Sequence, residues 1–362
     1  MAALVMTGFP GFLGSALLAR LLARRPGTDA VCVVQEKHLG EARARLSEIE
    51  ATEAHVAGRV RLVVGDLTLP GLGLTASDRG SLEDVTEVWH LAAVYDLTVG
   101  EEVARRVNVD GTARVLELCA DLEHLTRLHH VSTCYVSGRH DGEFREDDLD
   151  VGQSFRNHYE STKFEAELLV RRAMAGGLPA TIYRPGIVVG DSRTGATQKY
   201  DGPYFLATFL RRQPPLAVVP AVADPDRVRF CLVPRDFVIE AMDRLSVLEG
   251  SRGRTYALTD PEPPTARQLV DRFAHRLGKR VVWVPLPLLL TRVAISLPLV
   301  ERLAGLPAEA LEYFASPTTY DTTHTLTDLA GTGVRCARFE DYADRLVDFM
   351  VEHPELDSAA MV

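Results

Sequence analysis

A tyrosine and a lysine, Tyr159 and Lys163, stand four residues apart in a segment of helical character. Side chains at this spacing lie on the same face of a helix. The pKa of a free tyrosine is about 10, and a neighbouring ammonium group favours the phenolate and lowers that pKa. The tyrosine can then give a proton to a carbonyl oxygen as hydride reaches the carbonyl carbon. Surface pairs at this spacing are common, so the pair predicts redox chemistry only beside a cofactor site.

Hydroxyl groups that could hold the carbonyl oxygen occur in the run Val131-Ser132-Thr133, at the end of a predicted strand. Either Ser132 or Thr133 could hydrogen-bond that oxygen and stabilise its developing charge. Cys134 adjoins them, and a thiol can form a covalent thioester. Hydride transfer to a bound thioester needs no nucleophile, however, so a packed thiol is the favoured interpretation of Cys134.

A glycine-rich turn near the start of the chain predicts the cofactor site. Its glycines have G-x-x-G-x-x-G spacing, between a predicted strand and a predicted helix. Glycines at these positions allow a tight turn and close approach of the backbone to a pyrophosphate. The free N–H groups at the start of the helix favour the phosphates. The predicted cofactor loop comprises Gly8, Phe9, Pro10, Gly11, Phe12, Leu13 and Gly14.

The end of the second predicted strand bears on the choice between NAD and NADP. An acidic residue there would bind the ribose 2′-hydroxyl, whereas a basic residue would pair with a 2′-phosphate. The sequence is Val34-Gln35-Glu36-Lys37. Gln35 cannot form an ion pair, and Lys37 could reach a phosphate. The pattern favours NADP and leaves NAD open.

Two more strand ends supply candidate cofactor contacts. Asp66 and Leu67 close the third strand, where a carboxylate can accept a hydrogen bond from the adenine amino group. The small residues of Leu91-Ala92-Ala93 close the fourth and let the backbone lie along the cofactor. Their order, at the carboxyl ends of successive strands, predicts a shared ligand crevice.

The elements that position these residues alternate between short β-branched runs and longer helical patterns, which is typical of a parallel α/β sheet. We predict six strands, at Leu4–Met6, Ala30–Val34, Val60–Val64, Val85–Leu91, Leu128–Val131 and Thr181–Tyr183, with helices at Val107–Leu118 and Tyr159–Ala175. The predicted fold is a Rossmann-type, doubly wound parallel sheet.

After about Gly190 prolines and glycines become frequent. We therefore predict an NAD(P)-binding Rossmann domain at 1–190 and a smaller C-terminal α/β substrate-binding domain at 191–362. The latter would hold strands at Val228–Val233 and Thr255–Leu258, and residues 228–250 could return to the first domain. A helix should start near Asp236, and Thr265 with Gln268 matches a capping box.

Composition excludes several classes of protein. The 362 residues are 46% apolar and 25% charged, with a net charge of −10. Such an acidic chain is a poor partner for nucleic acid. The five cysteines and eleven histidines form no disulfide or metal pattern, so we predict no metal and a reducing, cytoplasmic setting. The apolar stretch Val281–Leu306 is interrupted by charges and prolines, which predicts no transmembrane segment but allows peripheral membrane contact.

Taken together, the motifs resemble those of the extended short-chain dehydrogenases/reductases. The chain is most similar to the fatty acyl-CoA reductases and the thioester reductase domains of that superfamily. The motifs are Thr7-Gly8 to Gly14, His90-Leu91-Ala92-Ala93, Asn108-Val109-Asp110-Gly111-Thr112, Val131-Ser132-Thr133-Cys134-Tyr135-Val136, Tyr159-x-x-x-Lys163, Arg184-Pro185-Gly186 and Asp201-Gly202-Pro203-Tyr204.

The resemblance implies roles for particular residues. Thr133 would be the catalytic hydroxyl beside Tyr159 and Lys163, which would also contact the cofactor. Asn108 would support the active-site loop and belong to the cofactor-binding residues. Gln35 departs from the family pattern, because relatives that use NADPH often carry arginine there. The resemblance also implies that the nicotinamide is lined by Pro185, Gly186, Ile187 and Val188.

The resulting hypothesis is NADPH-dependent reduction of an acyl thioester, carried by coenzyme A or by an acyl carrier, or of the derived aldehyde. The stretch Pro285–Leu306 could contribute to a pocket for a lipophilic acyl or carbonyl substrate. Reduction of a keto lipid or steroid-like ketone, and sugar-nucleotide epimerisation, remain alternatives on the same fold. A non-catalytic NADP-binding regulator is the alternative from another class.

Overall fold

The computed structural model describes residues 3–95, 99–286, 312–313 and 315–356. Its centre is a seven-stranded parallel sheet. The strands of this sheet are β1 Ala3–Thr7, β2 Asp29–Val34, β3 Val60–Val64, β4 Val85–His90, β5 Arg127–Val131, β7 Ala180–Pro185 and β11 Thr255–Leu258. Their order across the sheet is β11-β7-β5-β4-β1-β2-β3. The Rossmann-type α/β fold predicted from the alternating pattern is confirmed.

Helices cover both faces of the sheet, and nearly all side chains of β1, β2, β5 and β7 are buried, as is typical of a parallel sheet. Leu17 and Leu21 of the first helix pack on one face, and Val115 and Val170 of later helices pack on the other. The helices are α1 Phe12–Arg24, α2 Leu39–Thr52, α3 Ala76–Gly80, α4 Glu101–Arg105, α5 Gly111–Asp121, α6 His158–Ala175, α7 Pro203–Arg212, α8 Arg235–Ser246, α9 Ala266–Arg276, α10 Thr323–Leu329 and α11 Phe339–Glu352. A π-helical turn, Arg106–Asp110, joins α4 to α5.

The sheet has one strand more than predicted. Strand β11, which the sequence assigned to the C-terminal part, pairs in parallel with β7, with Thr255 beside Ile182. Helix α8 also returns to the sheet, where Met242 and Leu245 share a core with Leu17. A four-residue strand carries no local signal for its partner, so the pairing could not be predicted from the sequence.

The C-terminal part has a second core, in which Phe273 of α9 and Leu346 of α11 are buried. The predicted strand Val228–Val233 is wrong in extent, because only Leu232–Pro234 forms a strand and Arg229 makes a single bridge to Thr265. The predicted capping box at Thr265 is present. The remaining strands are β6 Gly142–Phe144, β8 Ile187–Val189, β9 Leu216–Ala221, β10 Leu232–Pro234, β12 Arg280–Pro285 and β13 Thr318–Tyr320.

The apolar stretch that was predicted to contribute to a substrate pocket lies mostly outside the described residues. Of the stretch Pro285–Leu306 only Pro285 belongs to β12, and residues 287–311 are not described. Among the helices that the structure does describe, none combines the length and apolarity that a membrane crossing requires.

Candidate functional site

A cleft of about 1230 Å³ opens at the carboxyl ends of the parallel strands. Strand β1 lies at its centre, with β4 on one side and β2 on the other, so the strand order reverses there. Doubly wound sheets bind their ligands at such a reversal point. The C-terminal part, through α7 and α9, supplies the opposite wall.

The glycine loop forms the floor of the cleft, and all seven of its predicted residues line it. Gly8 has φ +91°, and a Cβ at this position would lie 2.8 Å from the backbone nitrogen of Ala92. A Cβ on Gly14 would lie 2.5 Å from the carbonyl oxygen of Gly8. Gly11 precedes the first turn of α1. This geometry fits a dinucleotide, because only glycine lets the turn close while the free N–H groups of α1 face the cleft.

The ends of β2 and β3 form the far end of the cleft, where Gln35, Lys37, Asp66 and Leu67 line it. The Asp66 carboxylate accepts a hydrogen bond from the N–H of Thr68 at 2.7 Å. Burial alone would raise the pKa of Asp66, but the hydrogen bonds from Thr68 and Gln35 and the charge of Lys37 hold it below its ordinary value. Gln35 therefore interacts with Asp66 in this structure.

Leu91, Ala92 and Ala93 line the middle of the cleft. The Thr7 hydroxyl accepts a hydrogen bond from the N–H of Ala92 at 3.3 Å. Asn108, which was predicted to contact the cofactor, is buried behind this segment and does not line the cleft. Its side-chain amide pairs with both backbone groups of Val94, at 2.8 and 2.9 Å. Asn108 thus supports the loop that follows β4.

The segment after β7 forms the wall at the near end, where Pro185, Gly186, Ile187 and Val188 line the cleft. A Cβ on Gly186 would lie 2.2 Å from the carbonyl oxygen of Cys231. Strand β8, which begins at Ile187, pairs with β10. The close packing at Gly186 therefore fixes this wall against the C-terminal part.

Thr133, Tyr159 and Lys163 meet in the same cleft. Burial raises the pKa of Tyr159 to about 12, and a hydrogen bond with the Thr133 side chain opposes that rise. The expected lowering of the Tyr159 pKa is therefore not found in the protein alone. The Thr133 hydroxyl also accepts a hydrogen bond from the N–H of Tyr135 at 3.3 Å, which fixes its position at the end of β5.

Lys163 is buried, and its ammonium group donates a hydrogen bond to the carbonyl oxygen of Val131 at 2.8 Å. Burial lowers the pKa of Lys163 to about 8, and the charge of Glu167 opposes that shift. Burial also lowers the pKa of His90 to about 3, with a further contribution from Lys163. The pKa of His130 is likewise well below its ordinary value. Both histidines are therefore neutral beside the ammonium group at physiological pH.

The side chains next to Thr133, those of Ser132 and Cys134, form hydrogen bonds within the protein. The Ser132 hydroxyl donates a hydrogen bond to the Glu167 carboxylate at 2.6 Å. The Cys134 thiol is buried and donates to the carbonyl oxygen of Arg184 at 3.1 Å. Burial raises the pKa of this thiol well above its ordinary value. A protonated, packed thiol is a poor nucleophile, which agrees with the interpretation of Cys134 from the sequence.

The structure adds lining residues that the sequence did not single out. Phe205, Phe230 and Leu269 give the opposite wall an apolar surface, Arg106 brings a positive charge to the cleft, and Lys199 forms an ion pair there with Asp201. These residues come from separate elements, so no local spacing relates them. Within the described residues, no group of three histidine, cysteine or acidic side chains is arranged to hold a metal ion.

Comparison with known proteins gives a consistent result. The family model described as "Male sterility protein", an NAD-binding family, matches residues 6–242. A linear gramicidin synthase from Brevibacillus parabrevis is 31% identical over 287 residues, which are 76% of this chain and 5% of that protein. The fatty acyl-CoA reductase wat from Drosophila melanogaster is 28% identical over 234 residues, 55% of this chain and 45% of that protein. The chain thus spans less than half the length of either relative.

Among solved structures, the terminal R domain of the myxalamid PKS-NRPS biosynthetic pathway has a TM-score of 0.84 with this chain at 28% sequence identity. The alignment covers 98% of this chain and 92% of that domain. The similarity therefore extends over the C-terminal part as well as the sheet.

Proposed function

Because the chain belongs to the male sterility protein family, the group of extended short-chain dehydrogenases/reductases that includes fatty acyl-CoA reductases and thioester reductases, we propose that it reduces an acyl thioester with NADPH. It is an NAD(P)-dependent reductase of this type. One observation carries the finer proposal: Thr133, Tyr159 and Lys163 face the same cleft as the glycine loop.

The floor and the two ends of the cleft would bind different parts of the cofactor. The glycine loop would hold the pyrophosphate, and Lys37 would pair with the 2′-phosphate that distinguishes NADP from NAD. Pro185 to Val188 would lie along the nicotinamide. A bound reduced nicotinamide would supply hydride to the carbonyl carbon.

The protein's own residues would handle the carbonyl oxygen. The Thr133 and Tyr159 hydroxyls would hydrogen-bond it and stabilise its negative charge as the carbon–oxygen double bond is lost. Tyr159 would give its proton to that oxygen, and the resulting hemithioacetal would break its carbon–sulfur bond to release an aldehyde and a thiol. Lys163 would hold the nicotinamide ribose and favour the tyrosinate that is left after the proton has moved.

The wall opposite the glycine loop supports an acyl substrate. Phe205, Phe230 and Leu269 would bury the acyl chain. The positive charge of Arg106 would lie beside the negatively charged phosphates of coenzyme A or of a carrier-bound pantetheine arm. A lipophilic thioester matches both features, and it would have to be delivered already activated.

The alternatives use the same cleft. A ketone or keto-lipid reductase would need the same three catalytic residues, and so would a sugar-nucleotide epimerase. The apolar wall favours a lipophilic substrate over a sugar nucleotide. A regulator without chemistry would have no use for the arrangement of Thr133, Tyr159 and Lys163.

The decisive experiment follows NADPH absorbance at 340 nm with acyl-CoAs, acyl-pantetheines, long-chain aldehydes and ketones as substrates. We expect oxidation of NADPH with thioesters and release of one thiol per aldehyde formed, and Tyr159→Phe serves as the inactive control. Turnover of ketones alone would replace the thioester proposal with the first alternative. Tight retention of NAD without net oxidation would indicate an epimerase.

A further inference from the structure

Four hydrogen bonds converge on the carboxylate of Glu167, a fully buried residue one helical turn beyond Lys163. One oxygen accepts from the Ser132 hydroxyl at 2.6 Å and from Nε of Arg184 at 3.0 Å. The other accepts from Nη2 of Arg184 at 2.7 Å and from Nε of Arg171 at 2.9 Å. A buried carboxylate is destabilising unless it is paired and hydrogen-bonded. These four hydrogen bonds therefore stabilise the charged form of Glu167.

The partners of Glu167 lead directly to the cleft. Ser132 stands between Val131, whose carbonyl oxygen accepts from Lys163, and Thr133. Arg184 is buried as well and precedes Pro185 on the cleft wall. The carboxylate thus joins the end of β5 to the end of β7, the two strands that carry the catalytic hydroxyl and the nicotinamide wall.

Several charged or titratable groups face Lys163. His130 approaches from β5, His90 from β4, and Tyr159 and Glu167 from its own helix. The two histidines are neutral near pH 7 because burial lowers their pKa values. Glu167 stays ionised, since the charge and hydrogen bonds of Arg184 outweigh the cost of burial and hold its pKa below the ordinary value. Burial lowers the pKa of Lys163. Among the described groups, Glu167 is the one whose charge opposes this effect and raises that pKa.

We propose that Glu167 is a positioning residue of the reductase: from one helical turn away its carboxylate keeps Lys163 in the ammonium form, and it links the side chain that follows β5 to Arg184 at the end of β7. This inference rests on the proposed function, in which the Lys163 ammonium holds the cofactor ribose and supports Tyr159. It assigns a role in the chemistry to a residue that does not line the cleft.

The test is the pH dependence of the Glu167→Gln variant, which keeps the shape of the side chain and removes its charge. In the wild-type enzyme, turnover and NADPH binding should fall as pH rises through about 8, where Lys163 loses its proton. In the variant the midpoint of this fall should move to lower pH by on the order of one unit, because an opposite charge has been removed. A residue with a purely structural role would reduce turnover equally at every pH.

A matched control is Glu165→Gln on the same helix, where the carboxylate is exposed and pairs with Arg105. It makes the same change of charge and should leave the midpoint in place. An unchanged midpoint in Glu167→Gln would overturn the inference. Should that variant fail to fold, Arg171→Gln replaces it: loss of a positive charge that shares the carboxylate should move the midpoint to higher pH, and an unchanged or lower midpoint would overturn the inference.

Binding of NADPH can be monitored through the fluorescence of the reduced nicotinamide, without any substrate. This measurement therefore distinguishes failure of the proposed function from failure of the proposed role of Glu167. If no thioester is reduced but the midpoint for binding still shifts in Glu167→Gln, the proposed function fails and the role of Glu167 stands. If thioesters are reduced and neither midpoint shifts, the role of Glu167 fails and the proposed function stands.

Discussion

The ammonium group of Lys163 lies 2.8 Å from the carbonyl oxygen of Val131, at the end of the strand that leads to Thr133. The lysine is therefore anchored to the sheet and does not depend on Tyr159 for its position. Burial lowers its pKa to about 8 in this place and raises the pKa of Tyr159 to about 12. Both residues therefore carry their protons at neutral pH before a substrate arrives.

The first prediction concerns Lys163→Met, which replaces the buried charge with an apolar side chain of similar length. We expect loss of turnover together with a gain of roughly 2–5 °C in Tm at pH 7, because a buried ammonium group is destabilising relative to an uncharged one. The gain should shrink between pH 8 and 10. Over this range native Lys163, with a pKa of about 8, gives up its proton, whereas in the unfolded chain, with a pKa of about 10.4, the lysine largely keeps it. Thermal melts across pH test this, and a lower Tm of the variant at pH 7 would contradict it.

The second prediction concerns Tyr159→Phe, which removes the proposed proton donor and keeps the ring. We expect kcat to fall by about 10²-fold or more, with the dissociation constant of NADPH within about threefold of wild type. Stopped-flow reduction and NADPH fluorescence separate the two quantities.

The control for this variant is Tyr342→Phe in the C-terminal core. Its hydroxyl is buried without a hydrogen-bond partner in the described structure, and the residue does not line the cleft. Loss of this hydroxyl should leave both kcat and NADPH binding unchanged. A similar fall in kcat for both variants would show that the loss of activity has no specific connection with Tyr159.

Much of the nucleotide-binding half could be predicted from the sequence, because its signals are local. The strand predicted at Val60–Val64 has those bounds in the structure. In the C-terminal part the capping box at Thr265 could be predicted for the same reason, since it needs only two residues. The pairing of β11 with β7 could not be predicted, since it joins segments about 70 residues apart. The pKa of Tyr159 depends on burial from several elements, which spacing along one helix does not reveal.

Glu167 shows a different limit of the sequence. Its spacing of four residues from Lys163 places it on the same helical face, so the sequence contained the signal. Its partners Ser132 and Arg184 come from two other strands, however, and only the fold brings them to one carboxylate.

The third prediction tests the glycine loop with Gly8→Ala. The new Cβ would lie 2.8 Å from the backbone nitrogen of Ala92, and the φ of +91° is unfavourable for alanine. We expect a loss of about 1–3 kcal/mol in the free energy of unfolding and loss of measurable NADPH binding. Gly27→Ala is the matched control, because nothing lies within 4 Å of its Cβ position, and it should bind NADPH as wild type does. Normal binding by Gly8→Ala would exclude this loop as the pyrophosphate site.

The fourth prediction tests the choice of cofactor through Lys37→Ala. Gln35 hydrogen-bonds Asp66 in this structure, which leaves Lys37 as the residue proposed to pair with the 2′-phosphate. Removal of a charge-assisted contact of this kind should weaken NADPH binding by about tenfold, while the affinity for NADH, which lacks the phosphate, should change by less than about twofold.

Lys279→Ala, a change outside the cleft lining, controls for the altered net charge. Dissociation constants measured at two salt concentrations decide the matter, because an ion pair with a phosphate weakens as salt rises. Equal losses for NADPH and NADH would show that Lys37 does not recognise the phosphate, and stronger binding of NADH by the wild-type protein would reverse the proposed preference for NADP.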